Sequence, residues 1–188
     1  MDLDKAGIQY ERRGIRVNDS MQTTNAGDYA AGDWAATLQL ARVVDAVAQV
    51  AAANIVSRLG NRAPHSTMDY SAVPTVLFTY PQYGMVGATE QVLVKEGKGY
   101  AKSFGRELNW PTYRRVGMKS AAYKILAGDD GTLLGVHILA DNATGLISMF
   151  SLAMRNHIPV DKLYHQCVMT PYPSRESDII YMLKPLLV

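Results

Sequence analysis

The sequence predicts an α+β fold in which an antiparallel sheet packs against helices on one side, preceded by a smaller part with one long helix. Residues 120–140, SAAYKILAGDDGTLLGVHILA, alternate on both sides of an Asp-Gly pair, whose tolerance of positive φ suits a tight hairpin turn. Residues 142–156, NATGLISMFSLAMRN, have the apolar spacing of a buried helix. Shorter strands are predicted at 75–79, 84–87 and 99–108, and shorter helices at 88–97 and 159–166.

The N-terminal part begins with two short strands around Gly14, within residues 6–18. Residues 22–33, QTTNAGDYAAGD, follow as an extended segment of small residues that ends at Gly32 and Asp33. Glycine at this point permits a close approach of the backbone to a ligand, and an aspartate offers a carboxylate to ribose-like hydroxyls. An ordinary strand-to-helix turn explains the same pattern, so these residues alone do not decide the matter.

A long helix is predicted over residues 36–59. Its apolar and small residues cover much of its circumference, which predicts burial on most sides. It ends at GNRAP, and the polar, turn-rich residues 61–73 are the best candidate for a domain boundary. We therefore expect two domains, residues 1–60 and residues 61–188. The first has little sheet against which to bury its helix, and this is typical of the end of a larger domain.

Two prolines shape residues 169–178, MTPYPSRESD. Pro171 and Pro173 each fix their own φ and hold the preceding residue extended, and the Tyr172–Pro173 bond is a candidate for the cis form. Ser174 is predicted to cap a final helix. The apolar positions of that helix form one stripe, at residues 179, 180, 182, 183, 186 and 187.

Composition excludes several classes of protein. The chain has 188 residues, 48% of them hydrophobic, which is enough for one sizeable core or two small ones. The net charge of +2 and the scattered basic residues argue against a nucleic-acid partner. Cys167 is the one cysteine, so an internal disulfide framework is excluded and a buried structural thiol is expected. No apolar run is long enough for a membrane helix and no signal peptide is evident, so we expect a cytoplasmic protein without a membrane partner.

The histidines do not predict a metal site. His137 alternates within a predicted strand, and His65 and His157 lie in loops or at helix ends. No pair of them has the spacing of metal ligands, and structural or solvent-facing roles are favoured.

Four motifs in series resemble a known family. They are AAGD at 30–33, VLFTYPQYGMVGATE at 76–90, YKILAGDDGTLLGVHILA at 123–140 and YPSRESDIIYML at 172–183. In this order they resemble the C-terminal part of the FAD-dependent pyridine nucleotide–disulfide oxidoreductases, the group that includes glutathione reductase, dihydrolipoamide dehydrogenase and mercuric reductase. The resemblance covers nearly the whole chain.

The resemblance implies that residues 1–60 are the remnant of an FAD-binding domain and that residues 61–188 are a dimerisation domain. It places Gly32 and Asp33 at the ribityl or pyrophosphate region of FAD, and Leu40 and Ala41 near the flavin ring. It also implies a homodimer whose last turn reaches the partner's flavin, and NAD(P)H as the electron donor of the parent enzyme.

The last turn departs from the family's pattern. The family's disulfide reductases carry His-Pro-Thr-x-x-Glu at this turn, and the histidine and glutamate form an acid/base pair for a dithiol. When the two motifs are aligned on the proline, Tyr172 takes the place of the histidine and Ser177 that of the glutamate. A phenol with an ordinary pKa of about 10 is a poor general base at neutral pH. Glu176 and Asp178 are each one place out of register. The C-terminal KPLLV also lacks the cysteine pair of mercuric reductase-like members, so metal reduction by that route is not expected.

The chain contains neither the GxGxxG motif for a dinucleotide nor a CxxxxC redox pair, so we expect it to be inactive alone. The first hypothesis is a non-catalytic dimerisation module of an FAD-dependent oxidoreductase, whose acceptor is a quinone, oxygen or another compound rather than glutathione or lipoamide. The alternative is a freestanding interaction or regulatory domain derived from that family. A third hypothesis is an isolated FAD-binding fragment.

Overall fold

The computed structural model describes residues 1–187, which divide into two compact units, Met1–Tyr70 and the residues from Ser71 onward. The second unit is built on a five-stranded antiparallel sheet. The strands are β3 (Thr75–Leu77), β4 (Gln82–Gly87), β5 (Ala101–Arg106), β6 (Ala122–Ala127) and β7 (Leu133–Ala140). Their order across the sheet is β3-β4-β7-β6-β5. The predicted α+β fold class is confirmed.

The central pair β6–β7 forms as the sequence predicts. Lys124 pairs with His137 and Ile125 with Val136 in an antiparallel register. The connecting turn is closed by the N–H of Gly128, which donates to the carbonyl of Thr132 at 2.9 Å. Gly131 supplies the positive φ, +78°, that the turn requires.

Helix α4 (Ala143–Arg155) packs on the face of the sheet formed by β4 and β7. Its side chains Leu146, Ile147 and Phe150 are fully buried. The helix approaches β4 so closely at Gly84 that a Cβ there would lie 2.6 Å from Cγ1 of Ile147. The core of the second unit therefore lies between the sheet and α4.

The remaining helices of this unit are short. They are α2 (Glu90–Lys95), α3 (Pro111–Arg115), α5 (Val160–Cys167) and α6 (Ile179–Leu183). Thr89 caps α2 as a residue of its type should, because its side chain accepts a hydrogen bond from the N–H of Val92. The sequence did not predict α3, which has only five residues and begins at a proline, a favoured first helical position.

The predicted C-terminal helix is split into shorter turns. A 3₁₀ turn (Glu176–Asp178) precedes α6, and a second one (Lys184–Leu186) follows it. The predicted apolar stripe is confirmed, since its members at 179, 182, 183 and 186 are buried.

The first unit holds a two-stranded ribbon, β1 (Tyr10–Glu11) with β2 (Gly14–Ile15), and one helix, α1 (Ala41–Leu59). The prediction of an extended segment over 22–33 is wrong. The chain folds back instead, because the N–H of Thr23 donates to the carbonyl of Asp28 and the side chain of Asn25 accepts from the N–H of Gly27.

Helix α1 starts at Ala41, not at residue 36 as predicted. The N–H of Ala36 donates to the carbonyl of Ile15 at 2.8 Å, and this contact holds the preceding segment out of the helix. Burial on most sides is also wrong within this unit. Only one stripe of α1 is buried, and Val56 and Leu59 on the other side are exposed.

Candidate functional site

The candidate site is the turn between α5 and α6, residues 168–178. The hydroxyl of Thr170 donates to the carbonyl of Cys167 at 2.7 Å and ties the start of the turn to the end of α5. The Tyr172–Pro173 bond is cis, as predicted. The backbone of the turn is thus anchored to the end of α5 and follows a cis bend at Pro173.

The two positions that align with the family's acid/base pair do not form a pair in this structure. The side chain of Tyr172 points into solvent and the residue is 69% exposed, whereas Ser177 is only 7% exposed. Among residues 1–187, the hydrogen bonds of the Ser177 hydroxyl are made to Ser174, inside the turn, and not to Tyr172.

Ser174 and Ser177 cap each other. The N–H of Ser177 donates to the Ser174 hydroxyl at 3.1 Å, and the N–H of Ser174 donates to the Ser177 hydroxyl at 3.2 Å. This reciprocal pattern has the geometry of a capping box, with serine in place of the usual second residue. Ser174 thus caps the 3₁₀ turn that precedes α6, and not α6 itself as the sequence predicted, since the N-cap residue of α6 is Asp178. Ser177 shares the capping role of Ser174.

Arg175 is the most tightly held residue of the turn. Its Nε and Nη2 donate to the two carboxylate oxygens of Asp141 at 2.7 and 2.8 Å, and its guanidinium lies 3.9 Å from the centre of the Tyr113 ring. These hydrogen bonds lower the pKa of Asp141 and raise that of Arg175. A bidentate pair of this kind fixes orientation as well as distance.

Two further carboxylates anchor the end of the turn. Glu176 accepts a hydrogen bond from the side chain of Asn142 at 3.0 Å. Asp178 is 1% exposed and accepts from the hydroxyl of Thr112, while its Oδ1 is buried without a hydrogen-bond partner among the described residues. Burial raises the pKa of Asp178 above its ordinary value, because the charged form is poorly solvated there. Within residues 1–187, the hydrogen bonds of these two carboxylates go to Asn142 and Thr112.

The contacts that hold the turn were not predicted from the sequence. Arg175 and Asp141 are 34 residues apart, and Thr112 and Asp178 are 66 residues apart. No local pattern signals such pairs.

The first unit contains the residues expected near FAD. Gly32 has a φ of +75° and opens a 3₁₀ turn (Gly32–Trp34), and Asp33 within it is exposed. Leu40 is the N-cap of α1 and Ala41 its first residue. The side chain of Leu40 makes no capping hydrogen bond, so the first turn of α1 lacks a side-chain acceptor.

This arrangement fits one end of a flavin. An exposed carboxylate suits the hydroxyls of a ribityl chain, and the N-terminus of a 19-residue helix favours partial negative charge. The sequence contributes no glycine-rich phosphate loop for the other end. The residues present therefore fit part of FAD.

Other candidate groups have structural partners. His137 lies between the Tyr83 hydroxyl and the carbonyl of Ala88, each at 3.2 Å, and His65 contacts the Ser57 hydroxyl at 2.7 Å. Cys167 is buried, as predicted, and burial raises the pKa of its thiol. Among residues 1–187, no three histidine, cysteine or carboxylate side chains gather as metal ligands. No helix in that part of the chain is long and apolar enough to cross a membrane.

Comparison with protein families matches residues 73–178 to the dimerisation domain of the pyridine nucleotide-disulphide oxidoreductases. The chain belongs to this family. Among curated relatives of the family, dihydrolipoyl dehydrogenase from Cupriavidus necator is 34% identical over 179 residues, which are 93% of this chain and 35% of that protein. The chain spans about a third of the length of the dihydrolipoyl dehydrogenases that it matches.

A second kind of relative has the same extent as this chain. An uncharacterized 19.7 kDa protein in the mercuric resistance operon of Staphylococcus aureus is 33% identical over 187 residues. The aligned region covers 97% of this chain and 100% of that protein.

Solved structures of the family share the fold. LpdA from Mycobacterium tuberculosis superposes with a TM-score of 0.83 at 25% identity, over 100% of this chain and 40% of that one. The HOCl-induced flavoprotein disulfide reductase RclA from Escherichia coli superposes with a TM-score of 0.82 at 21% identity, over 98% and 41%. Both units of the chain thus have counterparts within larger reductases.

Proposed function

We propose that this chain is the dimerisation module of an FAD-dependent NAD(P)H oxidoreductase and is not catalytically complete by itself. The observation that carries the proposal is the match of residues 73–178 to the family's dimerisation domain. In the parent enzyme, FAD would accept a hydride from NAD(P)H and pass the electrons on to the acceptor. Gly32, Asp33, Leu40 and Ala41 would line the ribityl and ring end of that cofactor.

The parent enzyme would lack the usual acid/base pair for a dithiol. Two observations support this: Ser177 bonds inward to Ser174, and Tyr172 stands in solvent without an orienting partner. The acceptor would then be a quinone, oxygen or another compound that needs no such pair. The single buried cysteine is compatible with a reducing cytoplasm.

The proposal is tested by the solution mass of the chain, measured by light scattering over a concentration series. We expect a homodimer of the 20.6 kDa chain that dissociates only on dilution. The Tyr172→Ala variant should dissociate at higher concentration than the natural chain, and Tyr10→Ala, in the first unit, serves as the control. A monomer at every concentration would contradict the proposal for this chain.

The second candidate function is a freestanding interaction or regulatory module. The Staphylococcus aureus relative supports it, because the aligned region covers that whole protein. An antibody against residues 71–187 distinguishes the two candidates in cells of the source organism. A single band near 20.6 kDa supports the freestanding module, and a band about three times larger supports the module of a longer enzyme.

Flavin binding separates both candidates from an isolated FAD-binding fragment. We expect weak or undetectable binding when FAD fluorescence is titrated with the purified chain, because the residues present fit only one end of the cofactor. A purified chain that is yellow, with stoichiometric FAD, would favour the third hypothesis instead.

A further inference from the structure

The guanidinium of Arg175 is clamped in two perpendicular directions. Within its plane, two parallel hydrogen bonds join it to Asp141; against its face, the Tyr113 ring lies at 3.9 Å. Arg175 is 8% exposed and the side chain of Asp141 is 28% exposed, so solvent competes little for these contacts. A planar guanidinium that is bonded along its edge and packed against one face is held in a defined orientation.

Both partners of Arg175 lie on the rigid frame of the second unit. Asp141 directly follows β7, the strand paired with both β4 and β6. Tyr113 is fully buried in α3 and contacts Trp110 edge to face, with ring centroids 5.7 Å apart. The turn is thereby tied to the sheet and not only to the helices beside it.

Order at Arg175 is transmitted to Tyr172 through two residues with little freedom. The ring of Pro173 fixes its own φ, and Ser174 is held by reciprocal hydrogen bonds with Ser177. No freely rotating residue separates the clamped guanidinium from Tyr172. The backbone that carries the exposed Tyr172 is therefore held in a set position.

The exposed end of the turn has the composition of an interface anchor. Tyr172 is 69% exposed, and the nearby Val168 and Met169 are 57% and 86% exposed. Tyrosine and methionine are enriched at protein interfaces, where a rigid aromatic side chain contributes large contact area at low entropic cost. Preorganisation of such an anchor increases affinity, because less freedom is lost on binding.

We propose that Arg175 and Asp141 are positioning residues of this surface: their ion pair fixes the backbone position from which Tyr172 is presented to a second copy of the chain. The identity of that partner rests on the proposed function above. The positioning role rests on the contacts of Arg175 alone. The two parts of the proposal can therefore fail separately.

The positioning role is tested on the full chain with 3-fluorotyrosine incorporated at residue 172. The ¹⁹F resonance should be single and sharp in the natural background. It should broaden or split in Arg175→Lys, which keeps the charge but loses the fork, and in Asp141→Asn, which keeps the shape but loses the charge. Arg114→Lys, at an exposed position on α3, is the matched control and should leave the signal unchanged. An unchanged resonance in both folded variants would overturn the positioning role.

The link to association is tested by the dimer dissociation constant. We expect Tyr172→Ala to weaken the dimer by about 30-fold, the effect typical of an interface anchor, and Arg175→Lys by about tenfold. Because Arg175 acts through Tyr172, Arg175→Lys should weaken the dimer no further in the Tyr172→Ala background. Equal weakening in both backgrounds would overturn the proposed route.

A natural chain that is monomeric throughout would remove the second copy as partner, together with the proposed function. The ¹⁹F experiment works on a monomer and would still decide whether Arg175 positions Tyr172. Circular dichroism of each variant confirms that a change in either readout does not come from loss of the fold.

Discussion

The C-terminal turn and the Gly32–Ala41 segment are built in opposite ways. In the turn, Arg175 and Asp178 are buried and bonded to residues far away in the chain. In the N-terminal segment, Asp33 is exposed and the first turn of α1 has no side-chain cap. The turn is thus held by its own contacts, whereas the N-terminal segment leaves a carboxylate exposed and the first turn of α1 without a side-chain cap.

The sharpest test of this contrast is the loss of the ion pair in the turn. Arg175→Met should reduce the free energy of unfolding by about 2 kcal/mol, less than for a fully buried pair because Asp141 is partly solvated. Urea denaturation at pH 7 measures the change. Arg114→Met, on the exposed side of α3, should stay within about 0.5 kcal/mol of the natural chain.

The pH dependence of this effect has a definite sign. Arg175 lowers the pKa of Asp141, so the pair's stabilisation is present above the unfolded pKa of the carboxyl and is lost as pH falls through the lower, folded pKa. The difference between the natural chain and Arg175→Met should therefore shrink only at strongly acidic pH. A difference that grows on acidification would contradict the ion pair as its source.

Asp178 should show the opposite dependence. Its folded pKa is raised by burial, so the protonated form is favoured, and stability is lost as pH rises through that pKa. Relative to the natural chain, Asp178→Asn should therefore gain stability as pH rises from about 4 to about 7, since the amide cannot ionise. Thermal unfolding at several pH values measures the gain, and a constant difference would count against a buried, titrating carboxyl.

The serine pair allows a smaller effect to be measured. Ser177→Ala should cost about 1 kcal/mol, the usual value of a lost cap, and Ser174→Ala a similar amount. Because each serine bonds the other, the double variant should cost less than the sum of the two. Additive costs would mean that the two hydroxyls do not act as a unit.

The smallest effect is expected in the open segment. Asp33→Ala should change the free energy of unfolding by less than about 0.5 kcal/mol, because substitutions of exposed surface residues have small effects on stability. In the longer enzyme proposed above, the same variant should bind FAD more weakly, as measured by retention of flavin absorbance during dialysis. A large loss of stability in this chain would show that Asp33 belongs to the fold of the first unit.

Local patterns predicted most of the second unit. The Asp-Gly turn between β6 and β7, the apolar spacing of α4 and the cap at Ser174 each depend on residues close in sequence. The start of α1 was missed because it depends on Ala36, which bonds to Ile15. The hydrogen bonds of Arg175 and Asp178 were missed for the same reason, since a contact between distant segments leaves no periodic signal.

The order of the sheet leaves β3 and β5 at its edges. β3 has only three residues, and β5 carries Lys102 and Arg106 as exposed side chains. Short edges and edge cations discourage another strand from adding to the sheet. Copies of the chain that meet at high concentration are therefore discouraged from open-ended, amyloid-like stacking of one sheet edge on another.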